Sequence, residues 1–128
     1  MSDRQLRFIM RGLTELAERV VSKVSLDITA NLVEATPVDT GWARANWVPS
    51  IGSPFKEITG NDDNVSDVEQ QKGVTEVATN YSLERGPVFI SNNVPYITHL
   101  NDGSSTQAPA GFVQVAIHKA VTQDIGSL

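Results

Sequence analysis

The sequence predicts an α+β domain, in which a long N-terminal helix and a C-terminal helix flank a small, mainly antiparallel sheet, with a long polar loop between the strands. Three observations carry this. Apolar residues over 6–35 recur at three- and four-residue steps, residues 42–51 and 88–92 read as strands, and residues 109–125 return to helical spacing. The chain has 128 residues, 40% of them hydrophobic, which suits one domain over 1–128.

The first helix, residues 1–35, is expected to start at Ser2, because Ser2 and Gln5 have the spacing of a capping box. Its stripe runs through Leu6, Ile9, Met10, Leu13, Leu16, Ala17, Val20, Val24, Ile28, Leu32 and Ala35, with Gly12 as a candidate break. About 33 residues at 1.5 Å each span about 50 Å, more than one small domain covers. Part of the stripe must bend over the sheet or meet another subunit. Thr36 precedes Pro37 and is pushed out of the α region, so the helix should stop by Ala35.

Thr36-Pro37-Val38-Asp39-Thr40-Gly41 reads as the loop that reverses the chain: proline sets one dihedral, Asp39 braces the turn, and Gly41 permits it. Residues 42–51 then alternate, with Ala45, Trp47, Pro49 and Ile51 on one face, and Pro49 marks a strand edge or end. Residues 52–73 are polar enough to form a solvated, mobile loop. Asp62, Asp63, Asn64 and Asp67 within it lack the ligand spacing, central glycine and terminal glutamate of a calcium loop. The apolar positions between Val65 and Leu83 fit one or two short helical turns broken at Gly73. The second strand, 88–92, ends at Asn92 and Asn93, and Pro95 sets the backbone before Tyr96. Gly103 opens a small polar loop. Pro109 and Gly111 lead into the last helix, 109–125, which is expected to carry Phe112, Val113, Ala116, Ile117, Ala120, Val121 and Ile125 inward.

Composition narrows function. A net charge of −5 argues against gripping nucleic acid through its phosphates. The absence of cysteine excludes disulfides and thiolate metal sites. The N-terminus interleaves Asp3, Arg4, Arg7 and Arg11 with apolar residues, which reads as neither a signal peptide nor a membrane span, and no membrane partner is expected. Asp39-Thr40-Gly41 is also the triplet with which aspartic proteases present a carboxylate, and a homodimer would bring two together to share a proton. Such an enzyme needs an apolar strand before the triplet, whereas here a helix and a proline precede it. His99, Asp102 and Ser105 are triad types crowded into one loop, without separate elements to orient them. No catalytic, cofactor or metal-binding residue is assigned. The most particular residues specify backbone shape, which reads as a structural part.

Two separated blocks carry a resemblance. The first is Thr36-Pro37-Val38-Asp39-Thr40-Gly41 leading to Arg44-Ala45-Asn46-Trp47. The second is Ile90-Ser91-Asn92-Asn93-Val94-Pro95-Tyr96, then Asn101-Asp102-Gly103-Ser104 and Gln107-Ala108-Pro109-Ala110-Gly111-Phe112. Together they resemble the tail-completion and neck proteins of long-tailed bacteriophages and prophages, the minor tail protein Z type and its head-tail joining relatives. The resemblance covers about a third of the chain; the segment 53–84 carries no matching signature. It implies a non-enzymatic virion subunit forming a homo-oligomeric ring, six-fold by expectation, at the head-proximal end of the tail. Its neighbours would be the tail terminator or tube protein and the head connector or stopper protein, with DNA passing through without specific binding. Localisation would be the virion, and the host cytoplasm during assembly. The family brings no catalytic residues. Gln107 and Ala108 are the motif residues expected to touch a neighbour, while Pro37, Asp39, Gly41, Trp47, Pro95 and Tyr96 would serve the subunit's fold.

Overall fold

The first helix begins as its capping box requires: Ser2 Oγ accepts from Gln5 N (3.1 Å), and Gln5 Oε1 accepts from Ser2 N (2.9 Å). The computed structural model describes residues 1–39 and 41–128. Helix α1 (Asp3–Ala35) is continuous through Gly12, because helical dihedrals cost glycine only entropy and nothing crowds the position. It ends where Thr36 turns extended before Pro37.

The chain then departs from the expected strand over 42–51. Gly41, at φ +83°, leads into a one-turn helix α2 (Trp42–Ala45), and only Val48–Ile51 forms strand β1. Asn92 Nδ2 donates to the Ala43 carbonyl (2.8 Å) and Asn46 Nδ2 to the Trp42 carbonyl (2.9 Å). Side chains therefore hold this backbone in its turn, ahead of the first ladder pair. β1 pairs antiparallel with β2 (Val88–Ser91) in the register Val48↔Ser91, Pro49↔Ile90, Ser50↔Phe89 and Ile51↔Val88. Among the described residues the sheet has two strands, so Pro49 interrupts no central ladder.

The expected mobile loop over 52–73 is shorter and is held down. Helix α3 (Val68–Asn80) occupies its last residues. Asn93 Nδ2 donates to the Phe55 and Glu57 carbonyls, and Asn46 grips Thr59 through both its backbone N–H and its carbonyl. Gly73 does not break α3. A Cβ there would lie 2.3 Å from the Pro49 carbonyl oxygen, so the glycine is what lets the helix lie on β1. Gln70, buried in the same contact, donates to the Arg44 and Trp47 carbonyls at 3.0 and 3.1 Å.

After a 3₁₀ turn (Leu83–Arg85) and β2, one turn of helix α4 (Ile97–His99) widens into a π-type turn (Leu100–Ser104) containing Gly103 at φ +95°. The last helix, α5 (Phe112–Gly126), starts three residues beyond Pro109, because Gly111 adopts the left-handed region at φ +80° and serves as its N-cap. Asn101 supplies the partners that Pro109 was expected to make unnecessary: its carbonyl accepts from Gly111 N (2.7 Å) and its Oδ1 from Val113 N (2.9 Å).

The molecule is thus α+β, with α1 and α5 packed on each other beside the two-stranded sheet. Leu32, Trp47 and Ala116 form the core, lined by Ile28, Val33, Ile90, Ile97 and Val113. Ile117, Val121 and Ile125 were expected to face inward with Phe112 and Ala116. Instead they lie one residue around α5 from the buried Ala116, Ala120 and Asp124, and remain exposed.

Candidate functional site

The two sequence blocks fold against each other as one brace. Thr36 and Trp47 close the first block on itself, with Trp47 Nε1 donating to Thr36 Oγ1 (2.7 Å) in the buried interior. The second block reaches across through Asn92 to Ala43, and the Tyr96 ring meets the Trp42 ring edge-on, centroids 5.7 Å apart at 61°. Gln107 completes the joint: its Oε1 accepts from Val38 N (2.9 Å) and its Nε2 donates to the Asp39 carboxylate (2.6 Å).

This placement corrects the expectation for Ala108. Ala108 is 5% exposed and packs inside the subunit, so it presents nothing to a neighbour. Gln107 spends its side-chain amide within the chain, bridging the blocks. Arg44 donates Nη2 to the Glu34 carbonyl (3.1 Å), while its buried Nε has no hydrogen-bond partner. Pro37 is buried beside Gly41 and Asp39 at the mouth of a cleft of about 380 Å³ that Tyr96, His99, Ser104 and Ser105 also line. Pro95 and Pro109 are exposed, and a Cβ on Gly103 would press on Ala110 at 3.2 Å. Thr40 lies outside the described residues. Gln70 carries no signal in the sequence, since a glutamine in a polar stretch is unremarkable until the carbonyls it must satisfy are known.

A second feature is a surface. Residues 1–16 are exposed throughout, and in α1 Leu6, Ile9, Leu13 and Leu16 stand 44–55% open to solvent. The same stripe is covered further along, where α5 runs antiparallel to α1: Asn31 Nδ2 donates to the Ala116 carbonyl (3.2 Å), and Lys23 Nζ lies 3.7 Å from Asp124 Oδ1. α5 ends at Gly126, and Glu18 Oε2, accepting from Leu83 N (2.8 Å), ties α1 to the rest of the fold near the point where cover ends. Beyond Glu18 the helix projects as an arm of about 24 Å.

A charge cluster sits near the base of the arm. Lys23 Nζ lies 2.9 Å from Asp27 Oδ2 as well as near Asp124, whose buried Oδ2 has no hydrogen-bond partner. Burial, then the hydrogen bond and charge of Asp27, raise the pKa of Asp124, while the hydrogen bond from Lys23 lowers that of Asp27. An acid whose folded pKa is raised favours folding in its protonated form and costs stability once ionised, so its contribution declines as pH climbs above the ordinary carboxylate value, near 4. Asp27 has the opposite sign, losing stability as pH falls through that value. Asp124→Asn is therefore expected to stabilise the protein at about pH 7 and to change it little at about pH 4. Urea unfolding at both pH values checks this; an equal effect at both would show that the carboxylate does not ionise at a cost.

No protein-family model, no curated protein and no solved structure matches the chain. Among the described residues no helix is long and apolar enough to cross a membrane.

Proposed function

We propose that this chain is a structural, non-enzymatic virion subunit that assembles as a ring, six-fold by expectation, at the head-proximal end of a phage tail. There it completes the tail and joins it to the head connector, with the genome passing through. The observation that carries this reading is the uncovered apolar arm of α1: a subunit that leaves half of its longest stripe in water is built to be finished by a neighbour. The brace adds support, because the two blocks that resemble tail-completion proteins fold into a single joint. The net charge of −5 suits a channel along which DNA slides without sticking.

The test is the mass in solution, by light scattering, of the protein alone and then mixed with tail-terminator or tube protein and head-connector protein. A closed multiple of 13.9 kDa, formed alone or only with those partners, is expected. A dimer indifferent to both overturns the reading. It would return attention to a dimeric aspartic protease, in which Asp39→Asn abolishes proteolysis; in the ring subunit that change weakens the link to Gln107 and affects stability or assembly alone.

A further inference from the structure

The uncovered end of α1 has its own pattern of spacing and charge. Leu6, Ile9, Leu13 and Leu16 follow one another at steps of three, four and three residues, the spacing of a two-helix seam, and all four are open to solvent. Up to Glu18 the charges balance but are sorted by position. Residues 1–11 hold Arg4, Arg7 and Arg11 against Asp3, whereas residues 12–18 hold Glu15 and Glu18 and no basic residue. We infer that this arm pairs with the same arm of a second copy, antiparallel, about a two-fold axis level with Arg11. The inference goes beyond the ring reading and does not need it: the two-fold contact makes pairs, and closing a ring from pairs takes a second contact elsewhere on the subunit.

Length, charge and order select this occupant and this direction. Placing Leu6 opposite Leu16 of the second copy also places Ile9 opposite its Leu13, so one register uses every uncovered layer of both stripes. Met1 then comes level with Val21, short of the Lys23–Asp124 contact where α5 covers α1. The same register sets Arg4 level with Glu18, Arg7 with Glu15 and Asp3 with Arg19, so the basic tip of each arm runs along the acidic base of the other. Arg11 lies halfway round the helix from the stripe and points away from its counterpart. A parallel pair would match the same apolar residues but would set tip beside tip. It would also bring together two bodies, residues 19–128, that each carry seven basic and twelve acidic side chains. The arm is already helical and is anchored through Glu18, so pairing orders little backbone.

The chain has no cysteine, so introduced cysteines report the direction of pairing without background. Leu6→Cys and Leu16→Cys, each in the full chain, are oxidised in air separately and as an equimolar mixture. The mixture is expected to give the mixed disulfide at twice 13.9 kDa. Neither variant alone should cross-link, because like positions lie about 15 Å apart along the antiparallel pair and a disulfide bridges Cα atoms up to about 7 Å apart. In light scattering the wild type is expected to dimerise at about 0.1 mM. Ile9→Glu with Leu13→Glu should be monomeric there, whereas Phe8→Glu, 78% exposed but off the stripe, should dimerise as the wild type does; circular dichroism checks that helix content is retained. A monomeric wild type overturns the inference, as do cross-links confined to like positions, which mean a parallel pair. An Ile9→Glu, Leu13→Glu variant that still dimerises overturns it by placing the contact elsewhere, and equal damage from Phe8→Glu overturns it by showing unspecific adhesion. Arm-dependent binding to phosphatidylserine vesicles without self-association also overturns it and makes the arm a membrane anchor. Tail and connector proteins then decide the ring reading separately. A cross-linkable dimer that they leave unchanged overturns the ring and keeps the arm pair; a closed larger multiple in which Leu6→Cys and Leu16→Cys do not cross-link keeps the ring and overturns the arm pair.

Discussion

Replacing Trp47 with alanine is expected to cost about 3–5 kcal/mol, a large share of the roughly 5–15 kcal/mol that holds a domain together. Trp47 is 6% exposed and packs with Leu32 and Ala116, joining the first helix, the sheet end and the last helix at one point. Its truncation removes the largest side chain in that cluster and leaves a cavity that three separate elements would have to close. The indole also spans the first motif block, donating to Thr36 Oγ1, which in turn donates to the Leu32 carbonyl at the end of α1. Two companions divide the effect. Trp47→Phe keeps most of the packing and should cost less than the alanine change. Thr36→Val leaves the indole N–H buried without its acceptor, at about 1–3 kcal/mol. Urea unfolding followed by circular dichroism measures all three. A Trp47→Ala loss below that of Thr36→Val would show that the hydrogen bond stabilises this joint more than the packing does.

Gly73→Ala is expected to destabilise by about 2–3 kcal/mol, against the usual sign for a helical glycine. In an open helix the change gains up to about 1 kcal/mol, because alanine loses less backbone entropy. Here the new methyl would stand 2.3 Å from the Pro49 carbonyl oxygen and 3.0 Å from Pro49 Cδ. Neither atom belongs to a flexible side-chain end, so relief requires moving α3 off β1 and disturbing the carbonyl contacts of Gln70 beside it. Gly12→Ala is the internal control: helical, exposed, with nothing within 4 Å of the added carbon, it should stabilise or raise helix content. Opposite signs for the two substitutions are the expected result; equal stabilisation would mean that α3 shifts freely on the sheet.

Legibility in the sequence varies along the chain for physical reasons. The ends of α1 can be read directly, since the Ser2–Gln5 box and the Thr36-Pro37 step act on neighbouring backbone and need no tertiary partner. The pairing segments around Val48 and Val88 are placed by their β-type runs, and the α+β class follows from periodicity. Trp42–Ala45 reads as strand in the sequence because alternation over so few residues is compatible with a turn of helix. The choice between them is made by Asn92 and Tyr96, far along the chain. Gly73 reads as a break for a similar reason: a glycine signals a missing side chain, but only the approach of Pro49 says why it is missing.

The candidate interface divides in the same way. By itself the sequence determined that one apolar stripe runs the length of α1, because that stripe is a property of spacing. Which half of it is covered depends on where α5 ends against α1, a matter of long-range packing that periodicity does not encode. Tertiary structure likewise buried Ala108 and tied the exposed Gln107 within the chain, by giving the glutamine amide a carboxylate and a backbone N–H to bind across the fold. Local backbone chemistry set the ends of the long helix; the distant partners available to each side chain decided which surface was left in solvent.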